Sequence, residues 1–187
     1  MEYKTRSYPL FSACGLNCGL CPQYYKHAGG KFKCPGCAGE GFSQAHPACG
    51  ILSCCQRKDL EYCCYCDEFP CKKYDGADLS DSFITHKNQF KDFDKFKNIG
   101  LDVYKSEMEE KMSILENLLQ NYNDGRRKSL FCTAVNLLDL CDINSVMERI
   151  PAEIEPDAAL KAKAAIAVRL FEKIAAQRGV SLKLRKN

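Results

Sequence analysis

The chain has 187 residues, a formal charge of +3 and 45% apolar residues. That length suits one domain, or one small and one medium unit, and the composition is that of an ordinary soluble globular protein. No apolar run reaches membrane-spanning length, and the opening MEYKTRSYPLF lacks the apolar core of a signal peptide, so the expected setting is the cytoplasm.

Residues 1–13 read as an extended lead-in. Tyr8–Ala13 is a candidate short strand that Pro9 confines to a sheet edge. From Cys14 to about Lys73, repeated glycines break any helical period. Such a segment buries little apolar area, so a metal is expected to offset the entropy of ordering it. After Asp75-Gly76 the pattern becomes helical. Ser80 or Ser82 is a candidate cap for a helix reaching about Asn98, with Phe83, His86, Phe90 and Phe93 on one side. A second helix is expected from about Asp102 to Tyr122, with Tyr104, Met108, Met112, Leu115, Leu119 and Tyr122 as its stripe. Asn123-Asp-Gly125 stops it, and a third runs from about Arg126 to Leu140. Asp142 caps a short helix ending before Pro151. Asp157 caps a last one that carries Leu160, Ala164, Ala167, Phe171 and Ile174 and ends at Gly179. Val180–Leu184 alternates like a short strand, and the basic end is expected to be loose. The expected fold class is therefore mainly α. A loop-rich, metal-stabilised cysteine-rich part, 1–76, precedes a helical part, 77–187, and the two could form one integrated domain.

Twelve of the fourteen cysteines fall between Cys14 and Cys71. They run Cys14-x3-Cys18-x2-Cys21, Cys34-x2-Cys37, Cys49-x4-Cys54-Cys55 and Cys63-Cys64-x-Cys66-x4-Cys71. Repeated C-x2-C pairs are a strong metal signal in a reducing compartment, where disulfides are rare. The simplest division gives two zinc tetrahedra, Cys18, Cys21, Cys34 and Cys37 for one and Cys49, Cys54, Cys63 and Cys66 for the other. Cys14 and Cys71 also have site-like spacing, so a different partition, a cross-brace or a third metal stays open. Thiolates suit an iron–sulfur cluster equally well, which is the alternative cofactor. Cys14-x3-Cys18-x2-Cys21 also matches the cluster motif of radical S-adenosylmethionine enzymes, but no strand–helix repeat follows it. His27 and His46 lie beside the cysteines and read as loop histidines. Cys132 and Cys141, about 13 Å apart along one helix, read as small apolar residues.

A tetrathiolate zinc carries −2, so two of them bring the formal +3 to about −1. The basic composition then gives no support for nucleic-acid binding. No Ser-His-Asp arrangement, phosphate loop or helical His pair is present, which leaves catalysis open, with Cys55 and Cys64 as candidate reactive thiols. Arg126, Arg127 and Lys128 form a basic run at an expected helix start and are a candidate anion site. The expected partner is thus a protein or an anionic small molecule.

Cys14-Gly-Leu-Asn-Cys-Gly-Leu-Cys-Pro22, Cys34-Pro-Gly-Cys37 and Cys63-Cys-Tyr-Cys-Asp-Glu-Phe-Pro-Cys71 resemble an uncharacterised bacterial and archaeal family of cysteine-rich proteins. The resemblance extends through Gly100-Leu-Asp and Asn121–Arg126. It implies a prokaryotic source and a zinc site, and no reaction.

Overall fold

The computed structural model describes residues 3–25 and 34–186. These are mainly helical and contain no strand. The helices are α1 (Phe42–Ala45), α2 (Gly50–Arg57), α3 (Gln89–Ile99), α4 (Leu101–Asn121), α5 (Lys128–Leu137), α6 (Leu140–Ala152) and α7 (Leu160–Gln177). Single 3-10 turns form at Cys18–Leu20, Cys63–Tyr65 and Lys72–Tyr74. The chain divides into two compact units, Met1–Leu101 with Arg185–Asn187, and Asp102–Leu184. The composition change near residue 76 falls inside the first. None of the described helices is long and apolar enough to cross a membrane.

The first unit packs around aromatic rings rather than an aliphatic core. Phe11 is fully buried and lies within 5.4–5.7 Å of the rings of Tyr62, Phe96 and Phe93. Phe69 continues the cluster to Phe93 and Tyr74. Each such pair adds about 1 kcal/mol beyond its buried area. Phe11 thus pins the segment before the cysteines, where turns replace the expected strand. Helix α2 was not legible from the sequence, since Gly50 opens it and the thiol of Cys49 takes the place of a capping oxygen, 3.5 Å from the Leu52 N–H.

Helix α3 starts seven residues or more after the expected serine caps. The Asp81 carboxylate accepts the His86 N–H at 2.8 Å, and Thr85 Oγ1 accepts that of Lys87 at 3.2 Å. Side-chain acceptors that capture backbone donors compete with the helix. Phe83 therefore stays outside it and is 68% exposed, while Phe93 and Phe96 face the core.

The end of the chain is also tied rather than loose. Asp81 N–H donates to the Arg185 carbonyl at 3.0 Å, and Arg185 N–H donates to Asp81 Oδ2 at 2.7 Å. The Arg185 guanidinium then reaches Asp81 Oδ1 at 2.8 Å and the carbonyls of Ala77 and Asp78. The Asp81 side chain has no exposed surface.

In the second unit α6 and α5 both pack on α7. Ala164 and Ala167 on α7 are fully buried, and Phe131 of α5 meets Phe171 of α7 at 6.1 Å. Of the expected α4 stripe, Tyr104, Met108 and Leu115 are buried, and Leu118 takes the place foreseen for Leu119. Buried Lys111 donates to the Leu138 carbonyl at 2.9 Å, just past the end of α5, where the helix dipole favours a cation. The chain breaks at Leu138-Asp139, so Cys132 and Cys141 sit on separate helices, one buried and the other exposed. Asp142 is not a cap. It lies in the first turn of α6 and takes two hydrogen bonds from Arg178, at 2.8 and 2.7 Å. Pro151 falls in the last turn of α6 instead of ending it. Asp157 belongs to a separate turn, and α7 begins at Leu160. The α7 end follows the expected pattern: Gly179, at φ 65°, donates to Ala176 and Val180 donates to Ala175. Val180–Leu184 forms no strand.

Candidate metal centre

All twelve clustered cysteines lie in the first unit. Their local geometry follows from short turns. Cys21 N–H donates to the Cys18 carbonyl at 3.1 Å, and Cys66 N–H to the Cys63 carbonyl at 3.0 Å. Each C-x2-C pair of this kind therefore closes one 3-10 turn, which holds its two cysteines close. Two glycines are obligatory here. Gly15 has φ 89°, and a Cβ on it would lie 2.7 Å from the Phe93 ring. Gly36 has φ 85°, and a Cβ on it would lie 2.5 Å from the Pro9 carbonyl oxygen. That oxygen accepts the Cys37 N–H at 2.7 Å, which locks the Cys34–Cys37 turn against the lead-in.

The thiols gather in two neighbourhoods. In the first, Cys14 lies near Cys37 and Cys49, and Cys18 near Cys14, Cys21, Cys34 and Cys37. In the second, Cys55 lies near Cys54 and Cys63, and Cys63 near Cys66 and Cys71. Cys49, grouped on spacing with Cys54, Cys63 and Cys66, thus lies with Cys14 and Cys37. The sulfurs are not left to carbon neighbours. Cys14 Sγ is 3.1 Å from Ser12 Oγ and faces the Leu16 N–H. Cys37 Sγ faces the N–H of Ala13, which lies far from it in sequence, and Cys49 Sγ accepts from Leu52. Cys63 Sγ accepts hydrogen bonds from the Cys55 thiol and the Tyr74 hydroxyl, and Lys58 Nζ sits 3.2 Å from Cys66 Sγ.

Burial pushes the free thiols of Cys14 and Cys55 up to about 12, neighbouring thiols adding to the effect. It raises Cys18, Cys37 and Cys63 as well. Cys64 is pushed up to about 11 by burial, with the Lys97 charge opposing the rise and Cys63 adding to it. Desolvated thiols resist ionisation unless a cation joins them. Among the described residues, no three His, Cys, Asp or Glu side chains already meet as a metal-holding group. The donor set is compatible with metal binding in chemistry, being sulfur-rich and supplied with N–H groups.

The histidines lie apart from this chemistry. His46 stacks on Phe42 at 4.7 Å, with Nδ1 2.8 Å from the Pro47 carbonyl oxygen. His86, expected in a phenylalanine stripe, instead has Nε2 3.1 Å from Ser82 Oγ. His27 lies outside the described residues. Arg6, Lys58 and Tyr74 were not singled out from the sequence. Arg6 precedes the cysteine stretch, and Lys58 and Tyr74 belong to no motif.

The basic run sits at the start of α5, with Arg127 as its cap residue and Lys128 its first residue. The N–H groups of Gly125 and Arg127 donate to Asn123 Oδ1, and that of Arg126 to Asp124 Oδ1. Arg127 Nε also turns back to Asp124 Oδ2 at 3.4 Å. Replacing Arg126 and Arg127 by Gln is therefore expected to cost about 0.5 kcal/mol, the usual worth of a part-exposed ion pair. Thermal melts would show this loss, with metal content unchanged.

No curated protein and no solved structure matches this chain. The similarity found is confined to the cysteine-rich stretch: residues 10–76 match the model of the family described as protein of unknown function (DUF3795).

Proposed function

We propose that this is a zinc-binding protein of the cytoplasm that acts through binding a protein or an anionic small molecule. The reading rests above all on the first thiol neighbourhood, in which six cysteines gather. Cys14, Cys18, Cys37 and Cys49 are its favoured ligands. Three of these four sulfurs face a backbone N–H, an arrangement that stabilises a thiolate. Cys21 and Cys34 flank them. The second ion takes its ligands from Cys54, Cys55, Cys63, Cys66 and Cys71. Zinc, when bound, supplies a closed tetrahedral centre that adds folding free energy. That role suits a stretch whose longest helix, α2, has eight residues.

The alternative is an iron–sulfur protein, because four thiolates also hold iron. Colour separates the two. Zinc is d10 and colourless, so protein purified without oxygen is expected to be colourless, with stoichiometric zinc and no acid-labile sulfide. A brown protein with matching iron and sulfide would replace the zinc reading.

A further inference from the structure

Arg6 is among the few buried charges of the first unit, at 8% exposure. Its backbone N–H donates to the Ala38 carbonyl at 3.3 Å, beside Cys37. Its guanidinium carbon lies 4.7 Å from the centre of the Tyr62 ring, beside Cys63. Nη1 donates to the Phe11 carbonyl at 2.7 Å, but Nε and Nη2 have no hydrogen-bond partner. The nearest carboxylate, Glu61, is 4.0 Å away, 42% exposed, and accepts from Ser7 at 2.7 Å. A buried guanidinium with two idle nitrogens lacks the compensation its desolvation requires.

The chain supplies that compensation in sulfur. Cys37, next to the Ala38 carbonyl that holds the Arg6 backbone, and Cys55, which neighbours Cys63 beside Tyr62, both lie close to the Arg6 charge. Cys37 belongs to the first thiol neighbourhood and Cys55 to the second. This buried cation therefore stands near both. We propose that Arg6 is the shared counter-charge of the two thiolate sites, a positioning residue that lets both groups of cysteines hold metal in a desolvated setting. Each tetrathiolate zinc would carry −2, and one interior positive charge between two such centres lowers the cost of burying both. Arg6 lies outside the stretch matched by the family, so the cysteine motifs do not imply it.

The inference rests on the zinc reading, and its test is separable from that reading. Zinc would be competed from the full-length protein with a chromogenic chelator, comparing Arg6→Met, Arg6→Lys and Glu61→Gln. Residues that support metal ligands typically change affinity by about 10- to 100-fold when replaced. Arg6→Met is expected to weaken zinc binding at least about tenfold, and Arg6→Lys to recover most of that loss. Glu61→Gln removes only a part-exposed surface carboxylate, so it should fold, and is expected to hold zinc as tightly as the wild type or more so. Equal losses in Arg6→Met and Arg6→Lys would make Arg6 a packing residue. Weaker zinc binding in Glu61→Gln would make Glu61 its true partner, and either result overturns the proposal, the second even if Arg6→Met fails to fold. Wild-type protein without zinc would instead remove the reading beneath it.

Discussion

Cys37→Ser is expected to release one zinc ion and to open residues 14–71 to proteases, while Cys132→Ala keeps every metal ion. Cys37 is 6% exposed, faces the Ala13 N–H and stands at the turn that Pro9 clamps. In the proposed zinc site, removing its sulfur would open the tetrahedron, and a structural zinc supplies on the order of 10 kcal/mol of folding free energy. The aromatic core around Phe11 does not replace a term of that size. Cys132 is as buried, yet it packs in α5 of the other unit. Its truncation deletes one sulfur from a core, at about 1–2 kcal/mol. Zinc analysis and limited proteolysis of both variants check the contrast. A Cys37→Ser protein with full metal content would remove Cys37 from the ligands.

Asp81→Ala is expected to destabilise the first unit by about 3 kcal/mol, within the range for breaking a buried ion pair. The carboxylate takes bonds from two backbone N–H groups and the Arg185 guanidinium, and it holds together residues far apart in sequence. Its loss leaves a part-buried guanidinium and two idle amides, and frees residues 185–186. The same cluster fixes the direction of acid sensitivity. Burial favours the neutral acid at Asp81, but the Arg185 hydrogen bonds and the His86 and Arg185 amides outweigh it, so the carboxyl titrates below its usual range. A depressed folded-state pKa gives stability that is present above about pH 4 and lost as pH falls through the folded value. His86, lowered by burial and by the Arg185 charge against the pull of Asp81, acts with the same sign below about pH 6.5. Chemical denaturation at pH 7, pH 5 and pH 3 should show the mutant loss, the His86 trend between the first two and the Asp81 trend below about pH 4. An Asp81→Ala protein as stable as the wild type would mean that the clasp contributes nothing.

The helices of the second unit were readable because α4 and α7 carry long, regular apolar stripes that end at Asn123–Gly125 and Gly179. Two of the failures share one cause, a side-chain acceptor or thiol acting on the backbone. Asp81 held residues 80–88 out of a helix, and the Cys49 thiol opened one where glycines argued against it. The cysteine stretch was legible as a metal-compatible donor set, since C-x2-C spacing reports a local turn. Which distant cysteines share a neighbourhood was not, because that depends on Phe11, Pro9 and Ala13 folding back over the turns. Arg6 was invisible for the same reason: its importance lies in what it packs against.

Native mass spectrometry of the full-length protein, purified anaerobically with a thiol reductant, addresses the central claim most directly. The expected species is the chain with about two zinc ions, less the protons displaced from its thiols. A metal-free chain that remains folded, or one that carries iron and sulfide, would contradict it.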